Sequence, residues 1–178
     1  RKAQTPYSWH KKLFKKIKEN GMIGFSTPFD VEAVDFLERL NVPIYKIGSF
    51  ELNHLPLIKK IALTNKPVIV SVGMGSLSEI SEAISILKKY GTKNIVIMKC
   101  TSKYPAKNRY LNLLTINDLR KRFNVEVGFS DHSLGVAGSI SAVALGACVI
   151  EKHLTIKKND LGIDSGFSAD FEEFKNLV

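Results

Sequence analysis

Two histidines in similar settings, His132 in Ser130-Asp131-His132 and His153 in Glu151-Lys152-His153, are the strongest chemical signal in the chain. Each closes a short apolar run that reads as a strand. At adjacent strand ends, two imidazoles can hold one divalent ion and leave coordination positions for water and a substrate oxygen. A single such histidine would more simply satisfy a local hydrogen bond, but two at successive strand ends favour a metal. Glu51, just past another strand end, has a type and place suited to proton exchange or to binding sugar hydroxyls. As a bland alternative, it is an acid favourable to a helix N-terminus. Lys46 and Lys99 interrupt apolar runs, where an ammonium needs an anionic partner such as phosphate. A Schiff-base lysine of the aldolase type is the competing chemistry for either one. Ser26, Thr27, Ser71, Thr101, Ser102 and Ser130 add hydroxyl donors for phosphate or carboxylate oxygens. Gly73-Met74-Gly75 is too short for a phosphate loop. His10 and His54 have no comparable setting and read as surface residues.

Short β-branched runs alternate with amphipathic helices to carry these groups. The runs are Ile23–Phe25, Ile44–Ile47, Pro67–Ser71, Asn94–Met98, Val125–Phe129 and Ala147–Ile150. Helical stretches cover Val31–Leu40, Leu55–Ala62, Ser78–Tyr90, Ile116–Phe123 and Val136–Leu145. Ser76 with Glu79, and Asp170 with Glu173, have capping-box spacing at two helix starts. Such alternation means βαβ units and a parallel sheet. Because nearly every run ends in a polar cluster, we read a (β/α)₈ barrel, whose strand ends converge on one site, over an open sheet with one or two switch points. Six runs correspond to about six βα units, strands 3 to 8 of such a barrel.

The bulk properties fit this picture. The chain has 178 residues, 44% hydrophobic and 24% charged, with a net charge of +9. The lysines at 11, 12, 15, 16 and 18 fall on one amphipathic helix, so the charge reads as a solvated face that can favour an anionic small substrate, not as a nucleic-acid footprint. No apolar run reaches membrane-spanning length. The N-terminus has no signal-peptide core, and without an initiator Met it reads as a segment of a longer protein. Cys100 and Cys148, both in apolar runs, are expected to be buried thiols in a reducing cytoplasm.

In order, Phe25-Ser-Thr-Pro-Phe-Asp30, Tyr45-Lys-Ile-Gly-Ser49 with Glu51, Ser71-Val-Gly-Met74, Lys99-Cys-Thr-Ser102 with Tyr104-Pro105, Ser130-Asp-His132 and Glu151-Lys-His153 resemble the sialic acid synthase family over almost the whole chain. Within it, Gln4–His10, Ser49-Phe-Glu51, Lys99-Cys-Thr-Ser102 and Asp164-Ser165 followed by Phe167-Ser168 are most similar to the pseudaminic branch. That branch takes a 6-deoxy sugar with two acetamido groups. The neuraminate branch, using N-acetylmannosamine, is the alternative, and a non-catalytic or aldolase-type barrel is the alternative of another class.

The resemblance implies a metal-dependent condensation of phosphoenolpyruvate with an amino sugar. His132 and His153 would hold Mn²⁺, with Mg²⁺ or Co²⁺ as alternatives. Thr27, Lys46, Ser49, Ser71, Ser102 and Ser130 would hold phosphoenolpyruvate, with Lys99 also a substrate-binding candidate. Glu51, Tyr104 and Asp164 would meet the sugar or its bound water. The resemblance further implies two N-terminal strands and a C-terminal antifreeze-like domain outside this chain, and a homodimer in the parent. Val72, Leu154 and Ile163 depart from the residues usual in the family.

Overall fold

A computed structural model describes residues 5–159 and 162–178; Gln4, quoted above, lies outside the described residues. Helices α1 (Tyr7–Glu19) and α2 (Val31–Arg39) come first. There follow β1 (Tyr45–Ile47), α3 (Leu55–Ala62), β2 (Val68–Ser71), α4 (Leu77–Lys89), β3 (Ile95–Cys100), α5 (Thr115–Phe123), β4 (Glu126–Asp131), α6 (Ala137–Ala144), β5 (Ile150–Lys152) and α7 (Phe171–Leu177). The five strands pair in parallel in their chain order. They form a curled half-barrel backed by helices. Every expected helix forms, with no end displaced by more than one residue.

The first expected strand is a correction. Ile23–Phe25 is assigned to no strand, and β1 pairs only with β2. A strand exists through a neighbour that takes its backbone groups, and none of the described residues pairs with this run. Five strands therefore carry the sheet where six were expected.

Strand alternation separates two faces. Tyr45, Ile47, Val68, Val70, Ile97, Val127 and Phe129 are buried toward the helices, against Val34, Leu57, Ile58, Ile61, Leu87 and Ile116. The register places Lys46, Ser71, Cys100, Ser130 and Glu151 on the other, concave face. One residue class therefore builds the core while the alternate positions are left for chemistry.

Two further readings change. His10, expected at the surface, is only 6% exposed. Tyr7 and Phe36 stack at 4.3 Å, and Phe36 meets the His10 ring edge-on at 5.2 Å, so the imidazole is part of the α1–α2 packing. Cys148 is exposed, because it leads into β5, an edge strand of the sheet; Cys100 is buried as expected. His54 is exposed and caps α3, its Nδ1 accepting from Leu57 N at 3.1 Å. Among the described residues no helix is long and apolar enough to cross a membrane.

Both capping boxes form. Ser76 Oγ accepts from Glu79 N at 3.3 Å while Glu79 Oε2 accepts from Ser76 N at 2.8 Å. Ser76→Ala removes one half of this exchange and should lower stability by about 1 kcal/mol. Denaturant unfolding of the intact protein measures it; an unchanged midpoint would contradict the cap's contribution.

Candidate active site

The polar strand ends meet on the concave face. Lys46 Nζ donates to Ser71 Oγ at 2.7 Å and to the Ile47 carbonyl at 3.2 Å, and lies 3.6 Å from Glu151 Oε2. Glu151 Oε1 accepts from Ser130 Oγ at 2.7 Å. Ser130 Oγ is 3.3 Å from His132 Nε2. One chain of hydrogen bonds and charge thus runs from β1 to β5 through Lys46, Glu151, Ser130 and His132.

The two imidazoles lie side by side, their ring centroids 5.5 Å apart. Loops beyond the strands hold them. Ala106 N donates to the His132 carbonyl at 2.9 Å, and Ala169 N to the His153 carbonyl at 2.8 Å. These loops lay Tyr104 over His132 at 4.2 Å and set Phe167 against His153 at 5.0 Å. His132 Nδ1 is 3.0 Å from the Thr101 carbonyl. A carbonyl only accepts, so the ring proton sits on Nδ1 and Nε2 carries the lone pair. His153 Nδ1 faces Asp164 Oδ2 at 3.3 Å, which leaves its Nε2 as the outward nitrogen. Imidazoles anchored through one nitrogen by a carbonyl or carboxylate suit metal binding through the other. Among the described residues, no three His, Cys, Asp or Glu side chains gather into a metal-binding group. Two imidazoles are what the described residues bring together for an ion.

Burial, and then the neighbouring His153, hold His132 below the usual imidazole value, against the opposing effect of the Thr101 hydrogen bond. That favours the neutral ring a metal requires. Burial raises the Glu51 carboxyl, against the backbone hydrogen bond and the nearby Lys46. Burial likewise raises the Tyr104 phenol.

Beneath the imidazoles, on the helix-facing side, lies a second network. Asp131 and Lys152 are paired in register across β4 and β5. Their side chains are 0% and 3% exposed and meet at 3.0 Å. Asp131 also accepts from Ser133 N at 2.8 Å, Ser133 Oγ at 2.6 Å and Ser139 Oγ at 2.6 Å. Lys152 Nζ further donates to the Ser133 carbonyl at 2.8 Å. Gly138 permits this approach of α6, since a Cβ there would stand 2.9 Å from Ser133 Oγ and 3.0 Å from Leu111 Cδ1.

The remaining expected residues are distributed unevenly. Ser49 Oγ accepts from Gly73 N at 3.3 Å and lies 3.3 Å from Cys100 Sγ, on the concave side. Glu51 sits in the single helical turn Ser49–Glu51, its carboxylate so close over Gly48 that a Cβ at that position would collide with it. Ser102 and Tyr104 are exposed at the rim. Thr27 is half-buried beside Tyr7, His10 and Asp30, and is not joined to the Lys46–His132 chain. Lys99 pairs in register with Phe129, placing it on the helix-facing side, away from Lys46. Its Nζ donates to Thr101 Oγ1 at 2.8 Å, and burial lowers its ammonium value. Glu151, Asp131, Lys152 and Phe167 stand in the quoted motifs but were given no role of their own. Period-two reading of Ser130-Asp131-His132 beside Glu151-Lys152-His153 contains the signal for the first three: opposite charges on one face, catalytic types on the other.

A parallel, helix-backed half-barrel with its polar groups gathered at the C-terminal strand ends is a segment of a (β/α)₈ barrel, and its candidate site lies where such barrels build one. The sequence matches the NeuB family over residues 1–178, and the chain belongs to that family. It is 45% identical over 176 residues to a pseudaminic acid synthase of Campylobacter jejuni, covering 99% of this chain and 51% of that protein. It is also 45% identical over 178 residues to an N,N'-diacetyllegionaminic acid synthase of C. jejuni, covering 99% and 53%. The chain thus spans about half the length of the curated relatives it matches. Among solved structures, the sialic acid synthetase of Leptospira borgpetersenii in complex with citrate superposes with a TM-score of 0.94 at 34% identity, covering 98% of this chain and 61% of that one. A truncated 3-deoxy-D-arabino-heptulosonate 7-phosphate synthase of Thermotoga maritima shares the fold, at TM-score 0.85 and 21% identity over 98% and 70% of the two chains.

Asp131→Asn leaves Lys152 buried without its counter-charge and should cost about 3–5 kcal/mol of stability. Burial alone would raise the Asp131 carboxyl, but its hydroxyl, amide and ammonium donors prevail and lower it. The wild-type advantage is therefore present above the ordinary aspartate value of about 3.9 and is lost as pH falls through the lower folded value. Denaturant curves of both proteins should converge in acid; a gap that persists at low pH would contradict this assignment.

Proposed function

We propose that the intact protein is a nonulosonate synthase that condenses phosphoenolpyruvate with a diacetamido-trideoxy sugar, giving pseudaminic acid and phosphate. One observation carries this reading: Lys46, Ser71, Glu151, Ser130 and His132 form a continuous chain across the strand ends, with His153 beside it. The site's groups divide between an anion and a cation. Lys46 with the Ser71 hydroxyl offsets phosphoenolpyruvate charge, and Ser49, just past the end of β1, adds a hydroxyl. His132 and His153 would hold a divalent cation, Mn²⁺ by preference, through the nitrogens not engaged by Thr101 and Asp164.

When bound, that ion supplies Lewis-acid polarisation of the sugar aldehyde oxygen. C3 of phosphoenolpyruvate adds to the aldehyde carbon, water adds at C2, and phosphate leaves with C–O cleavage. Glu51, its carboxyl raised by burial, is suited to proton exchange at the sugar or its water. Tyr104 and Asp164 border the imidazoles where the sugar enters. Lys99 is the substrate-binding candidate this geometry supports least, because it faces the helices.

Equal identity to a pseudaminic and a diacetyllegionaminic acid synthase leaves the sugar to local residues. Phe50 is 73% exposed and shares a surface cavity with Ser49 and Met74. An apolar ring there suits a sugar with a deoxy carbon and two acetamido groups better than the more polar N-acetylmannosamine.

Phosphate release by the intact protein, given phosphoenolpyruvate, Mn²⁺ and each sugar separately, tests the reaction. We expect release with the altro-configured diacetamido sugar and its loss in His132→Ala. Release with the legionaminic precursor or N-acetylmannosamine alone would move the assignment to that branch; release with none would overturn the reaction. Phe50→Gly should reduce the preference over N-acetylmannosamine about tenfold, the scale of a modest apolar contact. An unchanged ratio would remove Phe50 from specificity.

A further inference from the structure

Ser130 stands between two acceptors and has one proton to give. Its Oγ is 2.7 Å from Glu151 Oε1 and 3.3 Å from His132 Nε2. Nε2 is an acceptor because Nδ1 uses the ring proton on the Thr101 carbonyl, 3.0 Å away. The shorter bond, to an ionised carboxylate, is the stronger one and takes the hydroxyl proton. The lone pair of Nε2 is then left without a donor from Ser130.

We infer that Glu151 is a positioning residue: by drawing the Ser130 proton toward itself, it keeps the His132 Nε2 lone pair available to a cation. This rests on the reading of His132 and His153 as ligands of a divalent ion. Lys46 secures the arrangement from the other side, since its Nζ lies 3.6 Å from Glu151 Oε2 and is itself held by Ser71 at 2.7 Å. Without the carboxylate, Ser130 rotates and donates to Nε2, and a cation must break that bond before binding. No covalent bond is made or broken; the effect is a hydroxyl orientation. The same link joins the two halves of the site, because Lys46 belongs to the anion-holding set and His132 to the cation-holding set.

The competing explanation is simple attraction: a carboxylate near a cation strengthens binding through its charge whatever Ser130 does. A double-mutant cycle separates the two. Mn²⁺ alone is titrated into the metal-free intact protein and the free ion is followed by electron paramagnetic resonance. The proteins are wild type, Glu151→Leu, which has no acceptor, Ser130→Ala and the double variant, with His132→Ala as reference and circular dichroism as the folding control. Glu151→Leu should weaken Mn²⁺ binding about tenfold, the usual scale for an outer-shell group of a metal site. In the Ser130→Ala background the same substitution should have no effect, because no hydroxyl remains to occupy Nε2. Where Glu151→Leu does not fold, Glu151→Asp, which withdraws the carboxylate by one methylene, takes its place with the same expectations. Unchanged binding in the single variant would overturn the inference. So would a tenfold loss that persists in the Ser130→Ala background, which would assign Glu151 a purely electrostatic effect. Wild-type protein that binds no Mn²⁺, or binds it equally well as His132→Ala, would instead remove the metal reading, and this inference with it.

Discussion

Asp131 and Lys152 stand directly opposite one another on β4 and β5, buried on the helix side of the sheet, and each immediately precedes one of the two histidines. A slip of one residue between these strands would turn every side chain to the other face. It would also strand a buried charge on each side, which is among the more costly errors a core can contain. The pair therefore constrains register more tightly than the apolar neighbours could. Ser139 and Ser133 extend the constraint to α6 and to the loop after β4. With the register held, Ser130 meets Glu151 and His132 meets His153 on the concave side. The geometry of the site follows from a network that never touches it.

Alternation is the means by which a half-barrel supports both a core and a site. Tyr45, Ile47, Val70, Ile97 and Phe129 bury the helix-facing side, while their neighbours in sequence collect on the concave side. Lys46 is tolerable there because Ser71, a backbone carbonyl and Glu151 share its charge. The same arrangement explains how one patch could serve reactants of opposite character. The cationic and hydroxyl groups lie toward β1 and β2, the imidazoles toward β4 and β5, and Glu151 lies between them.

Much of this was legible in the sequence. The helix boundaries follow from apolar periodicity and from the two capping boxes, and the polar residues closing successive β-branched runs placed the site at one end of a parallel sheet. The pairing of His132 with His153 followed from their equivalent positions. Facing was harder to read. Lys46 and Lys99 look alike in sequence, yet one points into the concave face and the other toward the helices, because each begins from a different phase of its strand. His10 reads as polar and therefore exposed, but Tyr7, Phe14 and Phe36 close around it, and no local pattern announces an aromatic enclosure built from two helices. Ile23–Phe25 has the composition of a strand without a partner among the described residues. Cys148 has apolar neighbours in sequence but leads into an edge strand of the sheet. Propensity records what a segment favours; pairing and burial depend on what lies beside it.

Strand register sets the His132 and His153 rings 5.5 Å apart, and we propose that they meet one divalent ion there. Pulsed electron paramagnetic resonance of Mn²⁺ bound to the intact protein counts directly coordinated imidazole nitrogens. Two are expected, falling to one in either His→Ala variant. Bound Mn²⁺ with no coupled imidazole nitrogen, or with couplings unaltered when His132 or His153 is replaced, would contradict it.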